Sequence, residues 1–145
     1  MLNLNSVRAT LKNFLDEEWS SLDFEYEIDD SLLSVNSDLC INVDDVDVPV
    51  YLDVTIGDSG LMWVDFQFQG DIDLSMNSLM SVNEYNNGVG SFKAYISNNG
   101  GLVLSRPSIS IEDEDEFGPQ LESLLIEMVS DGNKEAMAPL LALLS

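Results

Sequence analysis

Apolar residues follow a helical spacing at the start of the chain. They recur every three or four positions from Leu4 to Trp19, and this spacing predicts an amphipathic helix. Asn5 or Ser6 is suited to cap its first turn. After this helix the period changes to two, the period of a β-strand.

The alternation is clearest in VDVPVYLDVTI, residues 46–56, and it continues in LMWVDFQFQ, residues 61–69, after the turn sequence GDSG. Strict alternation over this length is typical of strands with one buried and one solvated face. The tight turn predicts that the two strands pair antiparallel.

The second half of the sequence predicts another hairpin between helices. Ser75 begins a short helix expected to bury Met76, Leu79 and Met80. A hairpin over 91–111 turns at NNGG. A helix with Pro119 in its first turn follows, and it is predicted to end at Gly132 before a short helix interrupted by proline. The predicted fold is a single α+β domain over 1–145, with one antiparallel sheet backed by helices. The predicted order is α-β-β-β-α-β-β-α, with room for an extra early strand.

The charge of the chain narrows the classes of partner. It has 27 acidic residues, 5 lysines and arginines and no histidine, which gives a formal net charge of −22. Direct binding to nucleic acid or to an anionic membrane is therefore not expected. The natural complement is a protein with a basic surface.

Location and thiol chemistry are also bounded by the sequence. The N-terminus lacks the pattern of a signal peptide, and no apolar stretch has the length of a membrane span, so the cytoplasm is the expected location. Cys40 is the single cysteine, and its strand-like surroundings predict a buried, unreactive thiol.

One longer stretch, SVNEYNNGVGSFKAYISNNGGLVLSRPSISI at 81–111, resembles the YbjN-like family of small bacterial proteins. That family is similar in fold to type III secretion chaperones. The likeness rests on an N-E-x-N element at Asn83, Glu84 and Asn86, on the hairpin after it, and on a closing helix near Pro119. It implies a chaperone-like fold and a non-enzymatic chaperone or regulatory role.

Catalytic and metal-binding patterns are missing from the sequence. There is no histidine to act as a general base, no Ser-His or Cys-His pair and no glycine-rich phosphate loop. The acidic stretches DDVDV and DID lack the spacing of a calcium-binding loop. We therefore expect neither an enzyme nor a bound cofactor or metal.

The acids themselves are the candidate site. Side chains on one face of a strand repeat at about 6.6 Å, so carboxylates on a sheet can imitate the phosphates of a DNA strand. Two aromatic residues of this face, Tyr51 and Trp63, either anchor an interface or lie under a helix. The acidic run that begins at Glu112 either joins this surface or serves as a solvated helix start. The residues predicted to bind a partner are Asp44, Asp45, Asp47, Asp53, Trp63, Asp65, Glu112, Asp113, Glu114 and Asp115.

Two functions remain open from the sequence. The first is an inhibitor or regulator that occupies the basic, nucleic-acid-binding surface of a partner protein; phage-encoded antagonists of restriction or CRISPR systems are similar in size and charge. The second is a YbjN-like or secretion-chaperone-like protein that binds an extended segment of a partner. A homodimer is compatible with either function.

Overall fold

The computed structural model describes residues 1–88 and 90–144. Its helices are α1, Leu4–Glu18; α2, Met76–Asn86; α3, Phe117–Met128; and α4, Asp131–Leu141, with short 3-10 helices at Glu114–Glu116 and Ala142–Leu144. Its strands are β1, Glu25–Asp29; β2, Leu32–Val43; β3, Val46–Gly57; β4, Leu61–Phe68; β5, Lys93–Ile96; and β6, Leu102–Ser110.

The six strands form one antiparallel sheet in the order β1-β2-β3-β4-β6-β5. The α+β class and the single antiparallel sheet are thus confirmed. The predicted pairing of the strands over 46–56 and 61–69 is confirmed as well. Four strands precede α2, because 25–43 folds as the separate strands β1 and β2, and the predicted order allowed for this extra early strand.

One face of the sheet carries the core. Alternate residues of β3, namely Val50, Leu52, Val54 and Ile56, are buried. Apolar residues of α1, α3 and α4 belong to the same buried cluster. We call the opposite face the outer face. Its aromatic side chains Tyr51 and Trp63 are 40% and 38% exposed, so neither ring lies under a helix.

The prediction for α2 was wrong about the buried side. Met76, Leu79 and Met80 are 75%, 49% and 61% exposed. The helix instead turns Ser78 inward, where its hydroxyl donates to the backbone oxygen of Asp73 and closes a capping box with Ser75.

Val82 and Tyr85, which follow Ser78 at helical spacing, are the α2 residues that pack against the core. The Tyr85 hydroxyl donates to Asn133 Oδ1 at 2.7 Å. Burial of the tyrosine ring with a satisfied hydroxyl therefore fixes the orientation of the helix, and the methionine stripe is left outside.

Two further expectations are corrected. Cys40 is exposed, because the buried positions of β2 are odd-numbered ones such as Ser37 and Ile41. Gly132 does not end a helix: α3 ends at Met128, and Gly132 lies in α4, whose N-cap Ser130 accepts from the backbone N–H of Asn133. Pro119 lies in the first turn of α3, as predicted.

Candidate protein-binding face

Carboxylates line up across the middle of the outer face. The register of β3 and β4 places Asp53 directly opposite Asp65. Pairing through β2 and β1 extends this row to Asn36 and Glu25 on one side. The two central carboxylates belong to adjacent strands of one surface. Such strands lie about 4.8 Å apart. We call this set the carboxylate row.

A second row runs beside the first. Tyr51 of β3 has Asp38 on one neighbouring strand and Gln67 on the other. The same row continues through Val103 to Tyr95 on β5. We call it the tyrosine row. Trp63 lies on the other side of the carboxylate row, opposite Thr55, so aromatic rings flank the central acids on both sides.

The central acids affect each other's ionisation. Burial first, and then the charge of Asp65, raises the pKa of Asp53 above its usual 3.8. When the Asn36 amide is oriented with its nitrogen toward the carboxylate, this nitrogen donates to Asp53 Oδ1 at 2.8 Å. This hydrogen bond offsets part of the repulsion between Asp53 and Asp65, but the neutral amide adds no positive charge to the face.

The carboxylates of this face also raise the pKa values of its tyrosines. Burial raises the pKa of Tyr51, and the carboxylates of Asp53, Asp38 and Glu25 raise it further. Burial and then Asp65 raise the pKa of Tyr95. Both phenols therefore stay neutral at physiological pH and can present uncharged rings among the acids.

The outer face is not neutralised by the chain's own cations. Among the described residues, 1–88 and 90–144, the one ion pair joins Lys12 and Asp16 of α1 at 2.8 Å. Lys93, at the far end of the carboxylate row, donates instead to the backbone oxygen of Asn86 at 2.9 Å. The negative potential over this face is therefore available to a partner.

The other predicted acids of this half lie at the tip of the β2–β3 hairpin. Asp44 and Asp45 form its turn with φ of 52° and 64°, the left-handed backbone that two-residue hairpin turns require. Asp47 follows on β3, where Asn42 Nδ2 donates to its Oδ1 at 3.0 Å. Asp44, Asp45 and Asp47 thus extend the acidic surface toward one end of the sheet.

The run from Glu112 to Asp115 is not brought to the outer face. Glu114 accepts a hydrogen bond from Ser6 Oγ of α1 at 2.8 Å. The Asp113 side chain accepts from the backbone N–H of Asp115 and caps the short 3-10 helix. Since α1 packs on the core side of the sheet, this run ties β6 to the helical layer.

Three residues of the face were missed by sequence reasoning: Glu25, Asp38 and Tyr95. Each lies on a strand whose alternation was visible in the sequence. Their place beside Asp53 and Tyr51 depends on the register of β1 with β2, of β2 with β3 and of β5 with β6. The two-residue turn at Asp44 and Asp45 was the signal that fixes the second of these registers.

Comparison with protein-family models, with curated proteins and with solved structures gave no match. The resemblance to the YbjN-like family therefore stays a prediction. In the described part of the chain no group of three or more acidic, cysteine or histidine side chains is arranged to hold a metal ion. None of the helices described there has the length and apolar character needed to span a membrane.

The opposed acids lead to a stability prediction. Asp53→Asn should stabilise the fold at neutral pH by about 0.2–1 kcal/mol, because like charges directly opposite each other in a sheet are destabilising. The raised pKa means that the folded protein binds more protons than the unfolded chain just above pH 3.8. Stability contributed by this group therefore falls as pH rises through that window, and the gain from Asp53→Asn should be full at pH 7 and vanish below pH 3.8.

Urea unfolding at several pH values measures this effect. Asp65→Asn is the matched variant, since it removes the same repulsion from the other side. The gain of the double variant should be smaller than the sum of the two single gains. Additive gains, or a gain independent of pH, would show that the two carboxylates do not interact.

Proposed function

We propose that this protein is a non-enzymatic binding module whose outer face occupies the basic, nucleic-acid-binding surface of a partner protein in the bacterial cytoplasm. The observation that carries the proposal is the opposition of Asp53 and Asp65 in the middle of an uncovered sheet face, where no lysine or arginine of the described chain forms an ion pair with them. Opposed carboxylates cost folding free energy. A cationic partner removes that cost on binding.

The geometry of the face supports a mimic of a nucleic acid backbone. The carboxylate row runs across the strands, and Asp47 lies further along β3 on the same side of the sheet. Carboxylates therefore repeat in two directions at strand and residue spacings. Tyr51 and Trp63 add exposed rings beside them, and aromatic residues are the usual anchors of protein interfaces.

A second function is favoured by a different observation, the exposed stripe of α2. Leu74, Met76, Leu79 and Met80 form an apolar patch on the helical side of the molecule. Exposed patches of this kind mark interaction sites, and methionine adapts its shape to varied apolar partners. This patch supports the chaperone-like alternative, in which a partner segment docks through apolar contacts.

Salt separates the two functions. The protein is immobilised and exposed to a nuclease-treated lysate of its native host at low salt. A partner held by the outer face should be released between about 50 and 200 mM salt, because its charge contacts are screened. A partner held by the α2 stripe should remain bound, since apolar contacts are not screened by salt.

Matched variants assign each retained protein to its surface. Met76→Gln with Met80→Gln makes two of the four stripe residues polar while keeping helix-forming side chains of similar length. Asp53→Asn with Asp65→Asn removes the central charges while keeping side-chain shape. If the salt-released partner is lost only with the second pair, the proposed function holds. If the retained partner instead stays bound through the salt wash and is lost only with the first pair, the chaperone-like function replaces the proposed one.

A further inference from the structure

Three shallow hollows of the surface meet at the same two side chains. Tyr51 and Asp38 line all three, which have volumes of about 800, 540 and 370 Å³. The largest extends across the sheet over Gln67 to Tyr95. The smallest extends the other way, past Asn36 to Glu25. The largest and the smallest hollow form a trough across the strands with Tyr51 at its centre, and the third hollow runs from it along β3.

The charged side chains that line this trough are all acidic. Among the described residues its walls contain four carboxylates, those of Asp23, Glu25, Asp38 and Asp47. No lysine or arginine lines any of the three hollows in that part of the chain. The trough is therefore complementary to a positively charged chain segment, and its largest hollow ends in polar side chains of the 97–99 loop.

We propose that Tyr51 is the anchor for an arginine side chain of an extended basic segment, which lies in the trough across the strands. This inference rests on the proposed function, since it names the part of a basic partner that the outer face receives. The occupant is a segment of protein chain, because the trough is long and open at the surface, and its acids are spread along its length.

Arginine fits this position better than lysine. A guanidinium stacks on an aromatic ring and still directs its N–H groups outward in the ring plane. Asp38 lies directly opposite Tyr51 on β2, and Asp53 follows two residues later on the same face of β3. A guanidinium on the Tyr51 ring therefore has a carboxylate on two sides, whereas an ammonium group cannot both stack and form paired hydrogen bonds.

The trough also sets a spacing. Tyr95 lies three strands away from Tyr51 in the same row, a distance of about 14 Å at the usual strand separation. An extended chain advances about 3.3 Å per residue. Two arginines about four residues apart would therefore reach Tyr51 and Tyr95 together.

The test uses fluorescent peptides and the intact protein at low salt. The first peptide carries two arginines four residues apart in a Gly-Ser chain; the others replace both arginines by lysine or by glutamine. The arginine peptide should bind the wild type at least about threefold more tightly than the lysine peptide. The glutamine peptide should not bind.

Variants at Tyr51 separate stacking from charge. Tyr51→Leu should weaken the arginine peptide about threefold to tenfold and remove its advantage over the lysine peptide. Tyr51→Phe keeps a ring and should keep the preference. Ile126→Ala, at an exposed position of α3, is the control for loss of a surface side chain and should change nothing.

The outcomes distinguish this inference from the function on which it rests. Equal binding of the arginine and lysine peptides, or an unchanged preference in Tyr51→Leu, overturns the arginine anchor. If Asp53→Asn with Asp65→Asn still weakens both peptides in that case, the acidic face remains the binding surface. If no peptide binds at low salt, both the anchor and the acidic face are wrong.

Discussion

Replacing Asp47, Asp53 and Asp65 together by lysine should abolish binding to a basic partner while the protein remains folded. All three are on the outer face, so the variant places three cations where the partner's own cations approach. Like charges brought together at an interface cost several kcal/mol, so affinity should fall at least about a hundredfold. Asp53→Lys alone should cost much less, because the attraction is spread over many carboxylates.

The control is a triple reversal on the helical layer. Glu17, Glu18 and Glu135 are exposed on α1 and α4, and their replacement by lysine changes the net charge by the same amount. Binding measured by calorimetry at low salt should be little affected. Equal losses in the two triple variants would mean that net charge, and not the outer face, attracts the partner. Thermal unfolding verifies that both variants fold.

The glycine that closes the β3–β4 turn should be intolerant of a side chain. Gly60 has φ of +94°, and a Cβ added there would lie 2.3 Å from the backbone oxygen of Ile111. Its own carbonyl accepts from the Ile111 N–H at 2.8 Å, so neither segment can move away freely. Gly60→Ala should therefore destabilise the fold by about 2 kcal/mol or more, through strain and backbone contact together.

Gly132→Ala provides the matched comparison. This glycine lies in α4, and a Cβ added there would have no atom within 4 Å. Alanine is favoured over glycine inside a helix by about 0.5–1 kcal/mol, so this variant should be more stable than the wild type. Urea unfolding measures both changes. A Gly60→Ala variant as stable as wild type would contradict the described turn.

The hairpin that carries the central acids was predictable because its signals are local. Alternation over 46–56 and 61–69 and the turn between them defined both strands and their polar side. The helix α2 was predicted with the wrong side buried, because its methionines have helical spacing while Ser78 and Tyr85 are fixed by Asp73 and Asn133. The contact with Asn133 joins residues 48 positions apart, so it leaves no trace in local periodicity.

In the candidate site, too, local features were predictable and long-range contacts were not. Asp53, Asp65 and Trp63 were predicted on one face because they belong to a single hairpin. Whether that face was open depended on where the helices pack, which alternation alone does not determine. The run from Glu112 to Asp115 stood out by its charge, yet its place beside α1 depends on the hydrogen bond from Ser6 to Glu114.

Competition with DNA tests the proposed mimicry most directly. A partner captured from the host is bound to a labelled duplex, and the wild-type protein or the Asp47→Lys, Asp53→Lys, Asp65→Lys variant is then titrated in. If the outer face imitates a nucleic acid backbone, the wild type should displace the duplex completely and the variant should not. A stable ternary complex of partner, duplex and wild-type protein would contradict the proposal.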